Sequence, residues 1–260
     1  MSNHKTHYVN IEEHWNKQAD IFRRLYNSGV EPYIKKIPIE QAFHIKDRNL
    51  RCIDEGTPDG IVHLAGSGIL LGLEKAQKTL STAQIDGVYS HAECGAAGIY
   101  ARDNNLDPTR ADEYGIRFAQ QLAERLGVTY KDHIEIEDMK RPHGLHIARA
   151  AYYDAAGKFT PSQIRELPHG FIISRKYLES NYAKKEAEIA VSIALGKHGF
   201  GEKFTKETPF VIIPIGASNN PNASLDKLKV ELEQIALKNK GRVIIDGFTA
   251  PPSYIMHFSP

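Results

Sequence analysis

The two cysteines of the chain lie in short segments that suit metal binding. Cys52 begins the segment Cys-Ile-Asp, and Cys94 ends the segment His-Ala-Glu-Cys that starts at His91. Two thiolates and one imidazole suit Zn²⁺, because this ion accepts soft sulfur and borderline nitrogen in a tetrahedron. Three protein ligands leave a fourth position for water, whose pKa zinc lowers to about 7. The two segments therefore predict a Zn²⁺ site at Cys52, His91 and Cys94.

Asp54 follows Cys52 by two residues, so a strand through both places their side chains on the same face. The carboxylate then lies near the fourth metal position, where two roles stay open. As a catalytic residue, Asp54 accepts the hydrogen bond of the bound water; as a fourth ligand, it closes the site. A third interpretation, that both cysteines are only core residues, also stays open, since cysteine is often buried for packing alone.

Short apolar runs alternate with helical patterns around these segments. Strands are predicted near residues 50–54, 61–65, 87–90, 131–137 and 146–153, and helices near 68–81, 96–103 and 111–126. Strands separated by helices favour a parallel sheet that is covered on both faces. Cys52 lies near the end of the first strand and His91 directly follows the third, which is where open α/β sheets place their functional sites.

The remaining sequence divides into an arm and an extension. Residues 1–47 are predicted as an N-terminal helical arm, with an amphipathic helix over 11–27 that Asn10 caps. Residues 48–160 form the zinc core. Residues 161–260 repeat the α/β pattern, with helices near 177–195 and 224–239 and strands near 210–215 and 243–246. The predicted fold is α/β, a mainly parallel sheet flanked by helices, with a C-terminal α/β extension packed on or beside the core.

Other polar residues near the two segments have a simpler interpretation. Glu55 and Glu93 flank the metal ligands and could orient them, but a surface carboxylate is the default for both. His143 and His146 lie in a loop that contains proline and glycine, where histidines are commonly solvated. We expect all four side chains at the surface.

The order of these motifs resembles that of the β-class carbonic anhydrases. Cys52-Ile53-Asp54 resembles the Cys-x-Asp motif of that family, and residues 64–67 resemble its Asn-Ala-Gly-Asn segment. Residues 88–96 resemble its His-x-x-Cys-Gly-Ala turn, and residues 151–158 its closing Tyr-Asp-x-x-Gly turn. The resemblance covers about residues 48–160, and its most specific part is the ordered pair of metal motifs.

The resemblance implies a zinc lyase that hydrates CO₂ reversibly. Cys52, His91 and Cys94 would hold the ion, zinc-bound hydroxide would attack the carbon, and Asp54 would orient that nucleophile. CO₂ and bicarbonate, or close analogues, are then the small-molecule partners. The resemblance also implies a homodimer or a higher homo-oligomer, with the N-terminal arm as the element exchanged between subunits.

One departure from the family concerns the charge partner of Asp54. The family continues as Cys-x-Asp-x-Arg, and its arginine keeps the aspartate ionised and turned away from the metal. This chain has Gly56 at that position, so Asp54 loses a partner that would depress its pKa. Arg110, Arg141 or Arg149 could restore the partner from elsewhere in the sequence.

The departure leaves two alternatives to CO₂ hydration. One is hydrolysis of carbonyl sulfide or carbon disulfide on the same site. The other is a non-catalytic structural or regulatory zinc protein with Asp54 as the fourth ligand. The final hundred residues, 161–260, match nothing in the minimal family core, so they do not decide between these alternatives.

The overall charge argues against one class of partner. The chain of 260 residues has a formal net charge of +1 at pH 7, so no surface field of one sign favours nucleic acid or an anionic membrane. The first ten residues lack the apolar run of a signal peptide. The longest strongly apolar run, residues 210–217, is too short to cross a bilayer of ~30 Å. A cytoplasmic location is expected.

Overall fold

The computed structural model describes residues 10–44 and 47–252 of the chain. Parallel sheets flanked by helices make up the structure, which confirms the predicted α/β class. The first sheet contains β1 (Asn49–Arg51), β2 (Val62–His63), β3 (Gly87–His91) and β4 (Thr129–Ile134). The second contains β5 (Ala150–Asp154), β6 (Gly170–Ile173), β7 (Phe210–Ala217), β8 (Val243–Ile245) and β9 (Phe248–Ala250).

Helices flank these sheets. They are α1 (Ile11–Lys17), α2 (Ala19–Ser28), α3 (Val30–Ile34), α4 (Leu73–Leu80), α5 (Gly95–Asp103), α6 (Ala111–Leu126), α7 (Ser180–Leu195) and α8 (Leu225–Lys238). Each large apolar side chain that such a helix buries contributes roughly 1.5–3 kcal/mol. Within residues 10–44 and 47–252, none of the helices combines the length and the apolar character needed to cross a lipid bilayer.

The two sheets have the same strand order. It is β2-β1-β3-β4 in the first sheet and β6-β5-β7-β8 in the second, where β9 also pairs with β7. All of these pairs are parallel. In each sheet one helix (α4 or α7) connects the second strand to the third, and another (α6 or α8) precedes the fourth. The expected division at residue 160 falls after β5, between that strand and its neighbours β6 and β7.

Hydrogen bonds close to Cys52 join the two sheets. The backbone N–H of Ile172 donates to the carbonyl oxygen of Ile53 at 3.1 Å, and the N–H of Ser174 donates to that of His63 at 3.1 Å. The N–H of His63 in turn donates to Ser174 Oγ at 2.8 Å. The C-terminal residues therefore pack directly on the first sheet, beside the strand that leads to Cys52.

The N-terminal arm begins as expected and then divides. The side chain of Asn10 accepts the N–H of Glu13 at 3.2 Å and so caps α1. The predicted single helix is two helices, α1 and α2, which meet at Gln18. The Gln18 amide donates to the carbonyl oxygen of Ile147 at 2.9 Å and accepts the N–H of His169 at 3.0 Å. These bonds fix the junction of the two helices to the body of the protein.

Trp15 anchors the arm on the C-terminal half. Its ring meets Phe200 and Phe204 edge-on, with centroids 5.0 and 5.3 Å away. The guanidinium carbon of Arg149 lies 3.6 Å from the ring centroid of Trp15. Aromatic pairs and cation–π contacts of this kind contribute about 0.5–1.5 kcal/mol each. The arm therefore packs against residues of the C-terminal half.

Several element boundaries differ from the prediction. Residues 68–81, predicted as one helix, form the end of a 3₁₀ segment (Ala65–Leu71) followed by α4, because residues 66–68 have left-handed backbone angles. Residues 146–149, predicted to begin β5, form a loop. Strands β6 and β9 are absent from the prediction, since four and three residues are too few to show a period of two.

Candidate metal centre

Three buried side chains meet at the carboxyl ends of β1 and β3. Cys52 directly follows β1, His91 ends β3, and Cys94 is the N-cap residue of α5. Their sulfur and imidazole nitrogen atoms all lie within 4.8 Å of one another. The three residues are only 5%, 3% and 6% exposed, respectively. All three predicted ligands are thus brought together. Cys52, His91 and Cys94, here called the ligand group, could hold a metal ion.

One ring nitrogen of His91 is prepared for a ligand role. Nδ1 lies 2.8 Å from the carbonyl oxygen of Ala92 and donates its proton there. Nε2 is buried and has no hydrogen-bond partner in the described part of the chain. A buried polar atom without a partner costs about 1–3 kcal/mol, and a cation at Nε2 would remove this cost. Hydrogen bonding through the other nitrogen is how proteins commonly orient a metal-binding histidine.

The two thiols differ in acidity. A hydrogen bond with Cys52 and the backbone N–H groups of Ala97 and Ala96 lower the pKa of Cys94, although burial opposes them. Burial raises the pKa of Cys52 well above its usual value, and the neighbouring Cys94 raises it further. The start of a helix favours a thiolate, so Cys94 is the more acidic thiol of the pair. A cation beside both sulfurs would favour the second thiolate as well.

A left-handed turn presses against both sulfur atoms. Gly66, with φ of 56°, donates its N–H to Cys52 Sγ at 3.1 Å. A Cβ at this position would lie 3.4 Å from Cys94 Sγ, 3.0 Å from Ala96 Cβ and 2.7 Å from Ile69 Cγ2. Glycine alone combines this backbone conformation with so little space. The turn therefore places an N–H donor at the ligand group and shields the group from one side.

A glutamate of α7 holds the same turn from the C-terminal half. Glu186 Oε1 accepts the N–H of Ala65 at 2.9 Å, while Oε2 is buried without a partner in the described residues. Burial raises the pKa of Glu186 to about 8, so the carboxyl group keeps its proton at neutral pH. Its sequence surroundings (KKEAEI) are typical of an exposed helix face, and no local signal reveals that this glutamate is buried.

Arg141 supplies the charge partner of Asp54. Its Nε lies 3.0 Å from Asp54 Oδ1 and 3.2 Å from Oδ2, and Oδ1 also accepts the N–H of Gly56 at 2.8 Å. Burial raises the pKa of Asp54, but His91, His146 and Arg141 together hold it below its usual value. Asp54 is therefore ionised and bound to a guanidinium.

Gly56 leaves the space that Arg141 occupies. A Cβ at position 56 would lie 2.6 Å from Arg141 Cγ and 2.9 Å from Met139 Cε. Gly56 and Arg141 thus belong to one arrangement: the absence of a side chain at position 56 lets the guanidinium of Arg141 approach Asp54 from another segment.

The other two candidate arginines lie elsewhere. Arg110 is exposed and forms an ion pair with Glu113. Arg149 is buried beneath the rings of Trp15 and Phe22, with its guanidinium carbon 3.6 and 4.0 Å from their centroids. Of the three arginines, Arg141 alone forms an ion pair with Asp54.

Asp54 belongs to a second buried group, with Glu55 and His146. His146 Nδ1 donates to Glu55 Oε2 at 2.9 Å and lies 3.9 Å from Asp54 Oδ2, while Glu55 Oε1 accepts the N–H of Ile147 at 2.7 Å. Burial lowers the pKa of His146, but the two carboxylates raise it above its usual value. The expectation of exposed side chains was wrong for Glu55 and His146, because the loop after residue 141 folds back over the site.

Glu93 connects the turn between His91 and Cys94 to the loop that follows residue 141. It has left-handed backbone angles, with φ of 56°. Its Oε2 accepts hydrogen bonds from Arg141 Nη1 and from the N–H of Gly144, both at 3.2 Å. Its Oε1 lies 2.8 Å from Nε2 of His143, whose side chain is 77% exposed as expected. The glutamate between His91 and Cys94 therefore positions the arginine that holds Asp54.

Two spaces that share lining residues lie near the three candidate ligands. An outer cleft of about 410 Å³ lies between Glu93, Arg141 and residues 192–198 at the end of α7. An inner space of about 10 Å³ lies beside Cys52 and Asp54, and a space of this size holds about one water molecule. Three residues line both spaces: Gly95, His146 and Ile193.

No model of a protein family, no curated protein and no solved structure matches the chain. The inference of function therefore depends on the chemistry of the residues that surround the ligand group.

Proposed function

We propose that the chain is a zinc-dependent lyase, resembling the β-class carbonic anhydrases, that catalyses the reversible hydration of CO₂. The observation that carries the proposal is the ion pair of Asp54 and Arg141 beside the group of Cys52, His91 and Cys94. The ion pair keeps the carboxylate of Asp54 ionised next to the ligand group, and in this pair the carboxylate is bound to Arg141.

The donor set suits zinc. Thiolate and imidazole are the ligands that Zn²⁺ prefers, in tetrahedral sites with three or four protein ligands. The unpartnered Nε2 of His91, the helix-terminal sulfur of Cys94 and the N–H donated to Cys52 Sγ all favour a cation held by these three residues. Zinc at that position would supply Lewis acidity and lower the pKa of a water molecule.

Asp54 and Arg141 have separate roles in the proposed reaction. Arg141 does not lose its proton at any working pH, so it holds Asp54 in one orientation and in its ionised form. The Asp54 carboxylate can then accept the hydrogen bond of the attacking water and fix its direction toward the carbon atom. Glu93 supports this arrangement by accepting from Arg141 Nη1.

Two alternatives follow from the same residues. Carbonyl sulfide and carbon disulfide share the linear, electrophilic structure of CO₂, so their hydrolysis on this site is the alternative reaction. A non-catalytic zinc protein would need Asp54 as its fourth ligand, and the bonds from Arg141 to both oxygens of Asp54 argue against that role.

Stopped-flow measurement of CO₂ hydration tests the proposal. Zinc-loaded protein should hydrate CO₂ faster than buffer at neutral and alkaline pH. Asp54→Asn should retain zinc and lose roughly 100-fold or more in rate, the range attributed to a positioned general base. Arg110→Ala is the control, because Arg110 is exposed and remote from Asp54, and it should keep the wild-type rate.

Two results would contradict the proposal in different ways. Zinc-loaded wild-type protein with no rate above buffer removes CO₂ hydration, and release of H₂S from carbonyl sulfide or carbon disulfide by the same sample would support the alternative reaction. Loss of zinc from Asp54→Asn would identify Asp54 as a ligand and support the structural role.

A further inference from the structure

One face of α7 closes the candidate metal centre from the C-terminal half of the chain. Glu186, Ile189 and Ile193 lie three and four residues apart, so they share a helix face. Glu186 holds the turn at Ala65. Ile189 and Ile193 line the inner space next to the ligand group. Residues far along the sequence thus form part of the wall of the site.

Ile193 stands at the junction of the two spaces. With Gly95 and His146 it lines both the outer cleft and the inner space. A Cβ on Gly95 would lie 3.8 Å from Ile193 Cδ1, so the end of the isoleucine side chain already reaches the first turn of α5. His146 is held by its hydrogen bond to Glu55. Ile193 therefore lies between the outer cleft and the inner space beside Cys52 and Asp54.

The two spaces differ greatly in size. The outer cleft of about 410 Å³ is as large as many pockets that bind organic ligands. The inner space of about 10 Å³ accommodates about one water molecule. The available space therefore narrows where Gly95, His146 and Ile193 line both spaces.

We propose that Ile193, supported by Ile189, is a specificity-determining residue that admits narrow linear molecules to the metal centre and excludes ring-shaped ligands. The inference rests on the proposed function for its substrate class, which is CO₂ and linear analogues. It also gives the C-terminal half a role, because α7 supplies an apolar wall that offers water few hydrogen-bonding partners.

Ligand binding to the Co²⁺-substituted full-length protein tests the proposed role of Ile193, here called the Ile193 gate, without turnover. Charge-transfer absorption from thiolate to cobalt reports that the metal is bound, and the d–d bands report its remaining ligand. Cyanate is the linear probe and imidazole the ring-shaped probe. The variants are Ile193→Ala and, as a matched control, Val191→Ala, since Val191 is buried in the same helix and lines neither space.

The wild type and Val191→Ala should respond to cyanate and bind imidazole only weakly. Ile193→Ala should bind imidazole roughly tenfold more tightly than the wild type, or better, with its cyanate affinity changed by less than about threefold. Ile193→Phe narrows the junction, so it should keep the charge-transfer band and lose roughly tenfold in cyanate affinity.

The proposal for Ile193 is contradicted if the wild type and Ile193→Ala bind imidazole equally, or if Ile193→Phe retains the wild-type affinity for cyanate. A wild-type cobalt protein that does not respond to cyanate also overturns it. Absent CO₂ hydration combined with intact discrimination between the probes would refute the proposed reaction alone. A protein that binds no Co²⁺ would contradict both proposals.

Discussion

Asp54 depends on a guanidinium that reaches it from a residue 87 positions further along the chain. The resembling family supplies this group two residues after the aspartate. Here the backbone N–H of Gly56 binds the carboxylate, and the missing side chain at position 56 makes room for Arg141. The same ion pair is thus built with the cation taken from a different loop.

Substitution of Gly56 tests this arrangement. Gly56→Ala places a Cβ 2.6 Å from Arg141 Cγ, so Arg141 must shift and its bonds to Asp54 must lengthen. Overpacking of this kind lowers the free energy of unfolding by about 1–3 kcal/mol. Chemical denaturation of the zinc-loaded protein measures the loss.

Gly98→Ala is the matched control for this substitution. A Cβ on Gly98 would meet Arg102 Nη1 at 3.6 Å, an ordinary contact within α5. Replacement of a helical glycine by alanine stabilises a helix by up to about 1 kcal/mol. Equal stabilities for Gly56→Ala and the wild type would show that Arg141 is not packed against position 56.

The ligand residues could be predicted from the sequence and their supporting residues could not. Cys52 and Cys94 are the only two cysteines of the sequence, and they and His91 lie at or shortly after the ends of predicted strands, so local patterns bring them together. Arg141 and Glu186 reach the site through loop and helix packing over long sequence separations. A pattern of a few residues carries no information on such contacts.

At the scale of elements, α7 braces the turn that faces the two sulfur atoms. Glu186 is buried on the side of α7 that faces the first sheet. Its carboxyl group accepts a hydrogen bond from the backbone N–H of Ala65. Its pKa of about 8 in the folded protein lies above the usual value of 4.5. Between these two values the folded protein holds a proton that the unfolded chain releases, so the contribution of Glu186 to stability falls as pH rises toward 8 and is lost above it.

Glu186→Gln should remove this pH dependence and keep the bond to Ala65. Relative to the variant, the wild type should lose up to ~1.4 kcal/mol of unfolding free energy per pH unit between the unfolded and folded pKa values. Denaturation curves of both proteins at several pH values and equal metal content measure the difference. Glu188→Gln, an exposed carboxyl on the same helix, controls for the loss of one carboxyl group. A pH-independent difference between wild type and Glu186→Gln would contradict the buried, protonated state.

The long helix α6 was predicted well, whereas the long helix predicted over residues 11–27 is divided and several short elements were missed. The helix predicted over 111–126 has the same bounds as α6, since its sixteen residues show a clear apolar stripe. The helix predicted over residues 68–81 begins too early, at the last residue of the turn 66–68, because these small residues carry no periodic signal. Strand β6, which borders the site, has only four residues.

At the scale of the whole molecule, the repeated strand order places two similar sheets side by side, and among the described residues a cysteine–histidine group occurs in the first alone. Asp154 is the last residue of β5, whereas Asp54 lies beyond the end of β1. Tyr152 stands two residues before Asp154, at the place that Cys52 takes before Asp54. The second half therefore contributes side chains that line and support a site in the first half.

The homodimer stays a prediction that light scattering at micromolar concentration would test.

Zinc K-edge X-ray absorption on the purified protein tests the central claim most directly. With Cys52, His91 and Cys94 as ligands, each chain should hold one zinc ion with two sulfur neighbours at ~2.3 Å and lighter neighbours at ~2.0–2.1 Å. Cys94→Ser should reduce the sulfur shell to one neighbour or release the ion. A wild-type protein without stoichiometric zinc after loading, or with zinc that has no sulfur neighbours, would contradict the account.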